Sequence, residues 1–115
     1  MRIRTKNKYG NEPCSVNGEK YRSRKEMRRH QELILLEKAG LIKDLKREVS
    51  FELAPGVVVR DRKRPPLRYY ADFVYVNALP GGAKIIEDCK GKRTEGYRIK
   101  RHLMKSIHGI DILET

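Results

Sequence analysis

The stretch from Tyr70 to Lys90 constrains this chain more than any other, because a single strong breaker, Pro80-Gly81-Gly82, interrupts it. Folded about that breaker, its two arms make an antiparallel hairpin in which Val74 faces Ile86 and Val76 faces Lys84. The same register sets Asp72 opposite Asp88. Side chains alternate along a strand, so Ile86, Asp88 and Lys90 share one face while Glu87 and Cys89 take the other. Two carboxylates placed opposite each other repel and weaken a sheet. A divalent cation between them removes that penalty, and oxygen donors of this kind suit Mg²⁺. A lysine one alternation further on is placed to hold a water or a phosphate. These are the parts that metal-assisted phosphodiester hydrolysis needs.

The remaining chain supplies elements to flank this hairpin. Asn17-Gly18, between Cys14-Ser15-Val16 and Glu19-Lys20-Tyr21, is a strong short hairpin signal. Ser23-Arg24-Lys25-Glu26 reads as a capping box, opening a helix that runs to about Ala39 with Gly40 as its stop. Met27, Leu33, Ile34, Leu35 and Leu36 cover more than half its circumference, which predicts packing on two sides. Val49, Phe51 and Leu53 alternate with polar residues and predict a half-buried strand, broken at Pro55-Gly56. Val57-Val58-Val59 then leads into Arg60–Pro66, expected to be a basic loop too charged to pack. A second helix is predicted from Thr94 or Glu95 to His108. Its expected buried stripe is Ile99, Leu103, Met104 and Ile107, with Lys100, Arg101 and Lys105 outward. Ile110–Leu113 closes the chain as a short strand. The order α, three strands, α, strand predicts an α/β fold, a small mixed sheet flanked by helices. Residues 1–11 read as a basic flexible arm, and 12–115 as one domain.

Composition limits the partners. The chain has 115 residues and a net charge of +12, from 27 Lys and Arg against 15 Asp and Glu. A domain this basic carries the electrostatic footprint of a nucleic-acid binder. No apolar run approaches the ~18 residues of a membrane span, and Met1-Arg2-Ile3-Arg4 lacks a signal peptide's apolar stretch, so a cytoplasmic location is expected. Cys14, Cys89 and the three histidines do not form a zinc spacing. A structural disulfide is not expected in that compartment.

Helix-borne Glu26, Ala71-Asp72 at a strand start, and Asp88-Cys89-Lys90 on the next strand resemble the PD-(D/E)XK nuclease superfamily. The resemblance covers about residues 21 to 113 and includes the αβββαβ order of that superfamily's restriction-endonuclease-like core. Within it the chain looks most similar to small bacteriophage proteins and, more distantly, to archaeal-type Holliday junction resolvases and transposon-end nucleases. Ala71 stands where the pattern often has proline, and Asp88 replaces the commoner glutamate. The resemblance implies a Mg²⁺-dependent endonuclease, with Mn²⁺ able to substitute, acting on branched DNA in phage or bacterial recombination. It implies Asp72 and Asp88 as metal ligands, Lys90 as the catalytic lysine, Glu26 as the helix carboxylate and the Cys89 carbonyl as a further metal contact. Two coordinated cuts would need two sites, hence a twofold homodimer.

Other readings of the same residues stay open. Glu26 also completes a capping box, and Glu32 is the rival helix acid. Glu87, one step out of phase, suits a solvent-facing or salt-bridge role. Asp72 could pair diagonally with Lys90 as a structural ion pair. His30 points with Glu26 and reads as packed or solvated. Lys92 and Arg93, followed by Arg98, Lys100 and Arg101, could form a phosphate track that positions DNA without reading its sequence. Tyr69, Tyr70 and Tyr97 could stack on bases or simply pack. The functional alternative is a non-catalytic nucleic-acid-binding module on the same fold. A site-specific restriction nuclease lacks an obvious sequence-reading insertion.

Overall fold

Local turn chemistry sets the first elements. A computed structural model describes residues 13–89 and 93–115. Strands β1 (Cys14–Val16) and β2 (Glu19–Tyr21) pair through Asn17 and Gly18, both at positive φ, as a two-residue primed turn requires. Helix α1 (Arg24–Lys38) follows. Its N-cap Ser23 accepts from the Glu26 amide at 3.2 Å, satisfying one of the donors a helix start leaves open.

The main sheet has the order β3-β6-β7-β8. Its strands are β3 (Ile42–Ala54), β6 (Leu67–Asn77), β7 (Lys84–Asp88) and β8 (Leu113–Glu114). The first three are antiparallel and β8 lies parallel to β7, so the sheet is mixed. Between β3 and β6 a small hairpin is inserted, β4 (Val57–Val59) with β5 (Arg62–Arg64). Helix α2 (Glu95–His108) precedes β8, capped by Thr94 and closed by left-handed Gly109. The α–β–β–β–α–β order of the main body is therefore present.

The central hairpin has the register its breaker implies: Val74 pairs with Ile86 and Val76 with Lys84. Its turn depends on Gly82, because a Cβ there would lie 2.0 Å from the Asn77 carbonyl oxygen. One apolar cluster joins Tyr97 and Met104 of α2 to Tyr69, Ala71, Val74 and Ile86. The other joins Leu33 of α1 to Ile42, Phe73 and Tyr75. The two helices thus cover opposite faces of one sheet.

Alternation breaks at the centre of that sheet. On β6, Tyr69 and Ala71 belong to the α2-side cluster, whereas Phe73 and Tyr75 belong to the α1 side. On β3, Arg47 lies over the Tyr21 ring beside α1, yet Val49 and Phe51 pack on the α2 side. An unbroken strand would keep each of these sets on one face. The switch falls at Glu48, held at φ +52°, and at Asp72 on the neighbouring strand.

Several expectations need correction. The Arg60–Pro66 segment is not a loop: a two-residue turn, Arg60 at φ +48° and Asp61 at +64°, folds it back as β5. Strand β3 begins at Ile42, seven residues before Val49. Left-handed Asp44 and Glu48 disturb its alternation and hid the earlier half. Helix α1 meets the β1–β2 hairpin through Met27 and the main sheet through Leu33, but its apolar circumference is not fully covered, leaving Leu35 65% exposed. Helix α2 has half of its expected stripe: Met104 is buried and Leu103 packs against the core, but Tyr97 joins them while Ile99 and Ile107 are about half exposed. Lys100 and Arg101 are correspondingly half-buried. The last strand is Leu113–Glu114, while Ile110 and Ile112 pack against the α2-side cluster from outside any strand. The expected arm at 1–11 lies outside the described residues. Among the described residues no helix is long and apolar enough to cross a membrane.

Candidate active site

The site is built where the β6–β7 ladder stops. Backbone pairing ends at Phe73–Glu87, and the Asp72 side chain continues it, its Oδ2 accepting from the Cys89 amide at 2.8 Å. Asp72 and Asp88 are both buried, at 7% and 1% exposure. The Tyr69 hydroxyl donates to Asp88 Oδ2 at 2.6 Å. Glu26 comes in from the first turn of α1 and is buried too.

Electrostatics follow from crowding three acids out of water. The Asp72 carboxyl is pushed up to about 7, first by burial and then by the Asp88 carboxylate, with Glu26 adding a smaller push. The Cys89 amide works against these by favouring the charged form. An acid raised by desolvation and by a like charge at one spot is a functional-site signature with a physical cause. Burial likewise raises the Tyr69 hydroxyl, with its bond to Asp88 contributing in the same direction. It therefore acts as a donor. Burial pushes the Cys89 thiol up to about 11, which removes it as a nucleophile near neutrality.

Glu26 has competing partners. Its Oε1 accepts from Arg47 Nη2 at 3.2 Å and its Oε2 from the Arg22 amide at 3.3 Å. The expected capping box is therefore open on one side, since the carboxylate bonds the residue before the cap. Glu32, the rival acid, is exposed and paired with Arg29.

Glu87 lies on the opposite face of β7 and is fully buried. Its carboxylate accepts from Arg29 Nε and Nη2 at 2.7 and 2.8 Å, from the Tyr75 hydroxyl at 2.6 Å and from the Thr115 hydroxyl at 3.2 Å. Of the two roles open to it in the sequence, the solvent-facing one is excluded. This four-bond clamp fastens α1 to the sheet and so fixes where Glu26 stands. His30 is packed: its Nδ1 shares a 2.7 Å hydrogen bond with the Tyr21 hydroxyl, and its ring stacks on Phe73. Burial lowers its pKa, with Arg47 adding to that effect.

Two clefts adjoin residues next to the site, one at Tyr69 and one at Cys89. One, of about 410 Å³, is lined by Arg22, Tyr69, Tyr70, Thr94, Tyr97 and Lys100. The other, of about 310 Å³, is lined by Lys25, Arg28, Arg29, Glu32, Cys89 and Thr115. Both fall within the size of ligand clefts, and both are lined with cations. Tyr70 is half exposed in the first, whereas Tyr69 and Tyr97 are buried, so stacking on a base is open to Tyr70.

The expected phosphate track is only partly brought together. Arg93 and Arg101 both bond Glu114, at 3.1 Å each, so their charge is partly spent. Arg98 is exposed, and Lys100 lines the larger cleft. Lys90 and Lys92 lie outside the described residues. The sequence reading missed Tyr69 as a partner of Asp88 and Arg47 as a partner of Glu26. The break in alternation at Asp72 brings Tyr69 to Asp88's face, and nothing in the sequence pattern signals it.

Asp72 and Asp88 form a pair of hard oxygen donors that fits a divalent cation. Among the described residues, no group of three or more His, Cys, Asp or Glu side chains is arranged to hold a metal ion. Glu26 would have to leave Arg47 to become a third donor. No curated protein and no solved structure matches the chain. A family model does match, over residues 6–109, and the chain belongs to that family, described as "Protein of unknown function (DUF1064)".

Proposed function

We propose that this protein is a Mg²⁺-dependent endonuclease hydrolysing DNA phosphodiester bonds, with a restriction-endonuclease-like core, and that it works on branched DNA as a homodimer. One observation carries the reading: Asp72 and Asp88 are buried together in a chain of net charge +12. A pure binder of polyanions gains by losing both acids. When bound, Mg²⁺ or Mn²⁺ supplies charge neutralisation at the phosphate and lowers the pKa of a water.

Asp72 and Asp88 would hold the ion, with the Cys89 carbonyl beside them and Glu26 within reach on α1. Tyr69 fixes the Asp88 carboxylate by donating to Oδ2. The Cys89 amide fixes Asp72 in the same way. Lys25, Arg28, Arg22 and Lys100, lining the two clefts, draw the phosphate backbone toward the carboxylates. Lys90, two residues past Asp88 in the sequence, would orient the attacking water or steady charge on the phosphate.

The test is cleavage of labelled four-way junction, flap, single strand and linear duplex, with and without Mg²⁺. Asp72→Asn and Asp88→Asn should abolish cutting while keeping or tightening DNA binding, and Lys90→Ala should remove most turnover. Undiminished cleavage in excess EDTA overturns the metal-dependent reading.

A second reading is a non-catalytic nucleic-acid-binding module. It is favoured by the way Glu26 is already held by Arg47 and the Arg22 amide, and Asp72 by the Cys89 amide. Tight binding of every substrate with no cutting in Mg²⁺ or Mn²⁺ would select it.

A further inference from the structure

We propose that the β4–β5 hairpin is an arm that grips double-helical DNA, a surface that deepens the nuclease reading by naming the form of its substrate and rests on that reading. The hairpin is built unlike anything else in the fold. All six strand residues are exposed, with Val57, Val58 and Val59 at 53, 67 and 49%. Arg60, Arg62, Lys63 and Arg64 set four cations against the single acid Asp61. A hairpin whose strand residues are all exposed gains little core in return for its ordering entropy, so its stabilising partner is expected elsewhere.

Its shape and charge select that partner. Val57 pairs with Arg64, Val58 with Lys63 and Val59 with Arg62, so every rung joins one apolar and one cationic side chain. A two-stranded ribbon fits the major groove of B-DNA. There the cations reach phosphates on the groove walls, and the valines meet sugar carbons and thymine methyls. Charge complementarity favours this occupant over a second copy of the chain, whose own arm and surface are also basic.

The neck restricts the arm's backbone. A Cβ at Gly56 would lie 2.9 Å from the Arg64 carbonyl oxygen, so the strands close tightly there. Pro55, Pro65 and Pro66 restrict the flanking backbone. Immediately below the neck, Ala54 pairs with Leu67 at the end of the β3–β6 ladder. Fully extended, the chain from the hairpin tip at Asp61 to Asp72 would span at most about 37 Å at ~3.4 Å per residue, so an arm in the groove contacts the duplex within about one helical turn of the carboxylates.

The experiment measures binding of the full chain to a labelled 30-base-pair duplex, and to one of its single strands, across a salt series in EDTA. The triple variant Arg62→Ala, Lys63→Ala, Arg64→Ala should weaken duplex binding about tenfold or more at 0.1 M salt. It should also reduce the slope of log K against log salt by roughly 2–3, as expected for three lost phosphate contacts. Thermal melting checks that the variant folds, and the single exposed change Lys63→Glu serves if it does not. An unchanged affinity and slope overturns the arm, as does an equal loss on the single strand. So does conversion of a dimer to a monomer by Val58→Asp at unchanged duplex affinity, which would make the hairpin a self-association surface. Cleavage by the wild type, assayed separately with Mg²⁺, keeps the two proposals apart. A wild type that cuts while the triple variant binds normally refutes the arm alone. A wild type that never cuts while the triple variant loses the duplex refutes the nuclease alone.

Discussion

Replacing Asp72 with asparagine should make the metal-free protein more stable, and only where the carboxyl is ionised. In the unfolded chain this group titrates near its ordinary value of 3.8, whereas in the fold burial and Asp88 hold it up to about 7. The native state therefore binds the proton more tightly than the unfolded state does. Below pH 4 both states are protonated and nothing is lost. Between about pH 4 and 7 stability falls as pH rises, and above 7 the full cost is present. Three pH units at ~1.4 kcal/mol each place a ceiling of about 4 kcal/mol on that cost.

Asparagine keeps an oxygen for the Cys89 amide at the site of the present 2.8 Å bond, carries no charge, and offers Asp88 a donor. Urea denaturation in EDTA at pH 5 and pH 8 measures the effect. The variant should gain roughly 1–4 kcal/mol over the wild type at pH 8, and clearly less at pH 5. Asp88→Asn should relieve the same repulsion, so the double variant should gain less than the sum of the singles. Mg²⁺ should stabilise the wild type at pH 8 by mass action and leave Asp72→Asn unmoved. A variant less stable than wild type at pH 8, or an advantage equal at both pH values, would refute the crowded-carboxylate argument.

Three further outcomes follow from particular contacts. Glu87→Gln should cost about 2–4 kcal/mol in urea denaturation, because Arg29 loses the buried one of its two counter-charges and keeps only exposed Glu32; a cost below ~0.5 kcal/mol would mean that Glu32 and solvent compensate Arg29. Tyr69→Phe should cost about 1–3 kcal/mol by removing a buried hydroxyl from Asp88, and calorimetry showing an unchanged melting temperature would place that hydroxyl outside the acid pair. Replacing Arg60-Asp61 with Asn-Gly, the residues a primed turn prefers, should slow amide exchange in β4–β5, because both positions already lie at positive φ; unchanged exchange would mean the turn does not limit that hairpin.

The central hairpin was legible because one breaker and four aliphatic side chains, Val74, Val76, Ile85 and Ile86, leave a single register that buries them. Ser23, Thr94 and Gly109 were legible for a similar reason, since each satisfies helix-end groups by local chemistry. The β4–β5 hairpin was hidden because its turn uses Arg and Asp at positive φ, which residues other than glycine seldom adopt. The face of α2 was misread in part, because Met104 and Leu103 of the expected stripe meet the core but Ile99 and Ile107 do not. Small Ala71 and Val74 in the cluster beneath it leave room for the Tyr97 ring, and Ile99 turns outward. Asp72 and Asp88 could be paired from sequence, but not the partners of the site. Tyr69 reaches Asp88 only because β6 changes face between them.

That change of face explains how two carboxylates come to be buried side by side. At Glu87, one residue from Asp88, the fold shows how it accommodates a buried acid that serves structure: a two-nitrogen arginine, a tyrosine and a threonine satisfy the carboxylate. Asp72 has a different environment. Among the described residues, the charges that act on it most are those of other acids, Asp88 and Glu26, while the Cys89 amide favours its ionised form. A packing role at this position would be filled at lower free energy by an apolar side chain. A positive group joining the acids would relieve this crowding, and the proposed approach for a polyanion runs along the cations of the clefts that adjoin Tyr69 and Cys89. Asp72, raised toward neutrality by burial and by its neighbour Asp88 and held by a backbone amide beside a carboxylate fixed by Tyr69, is the feature on which the proposed metal-assisted cut rests.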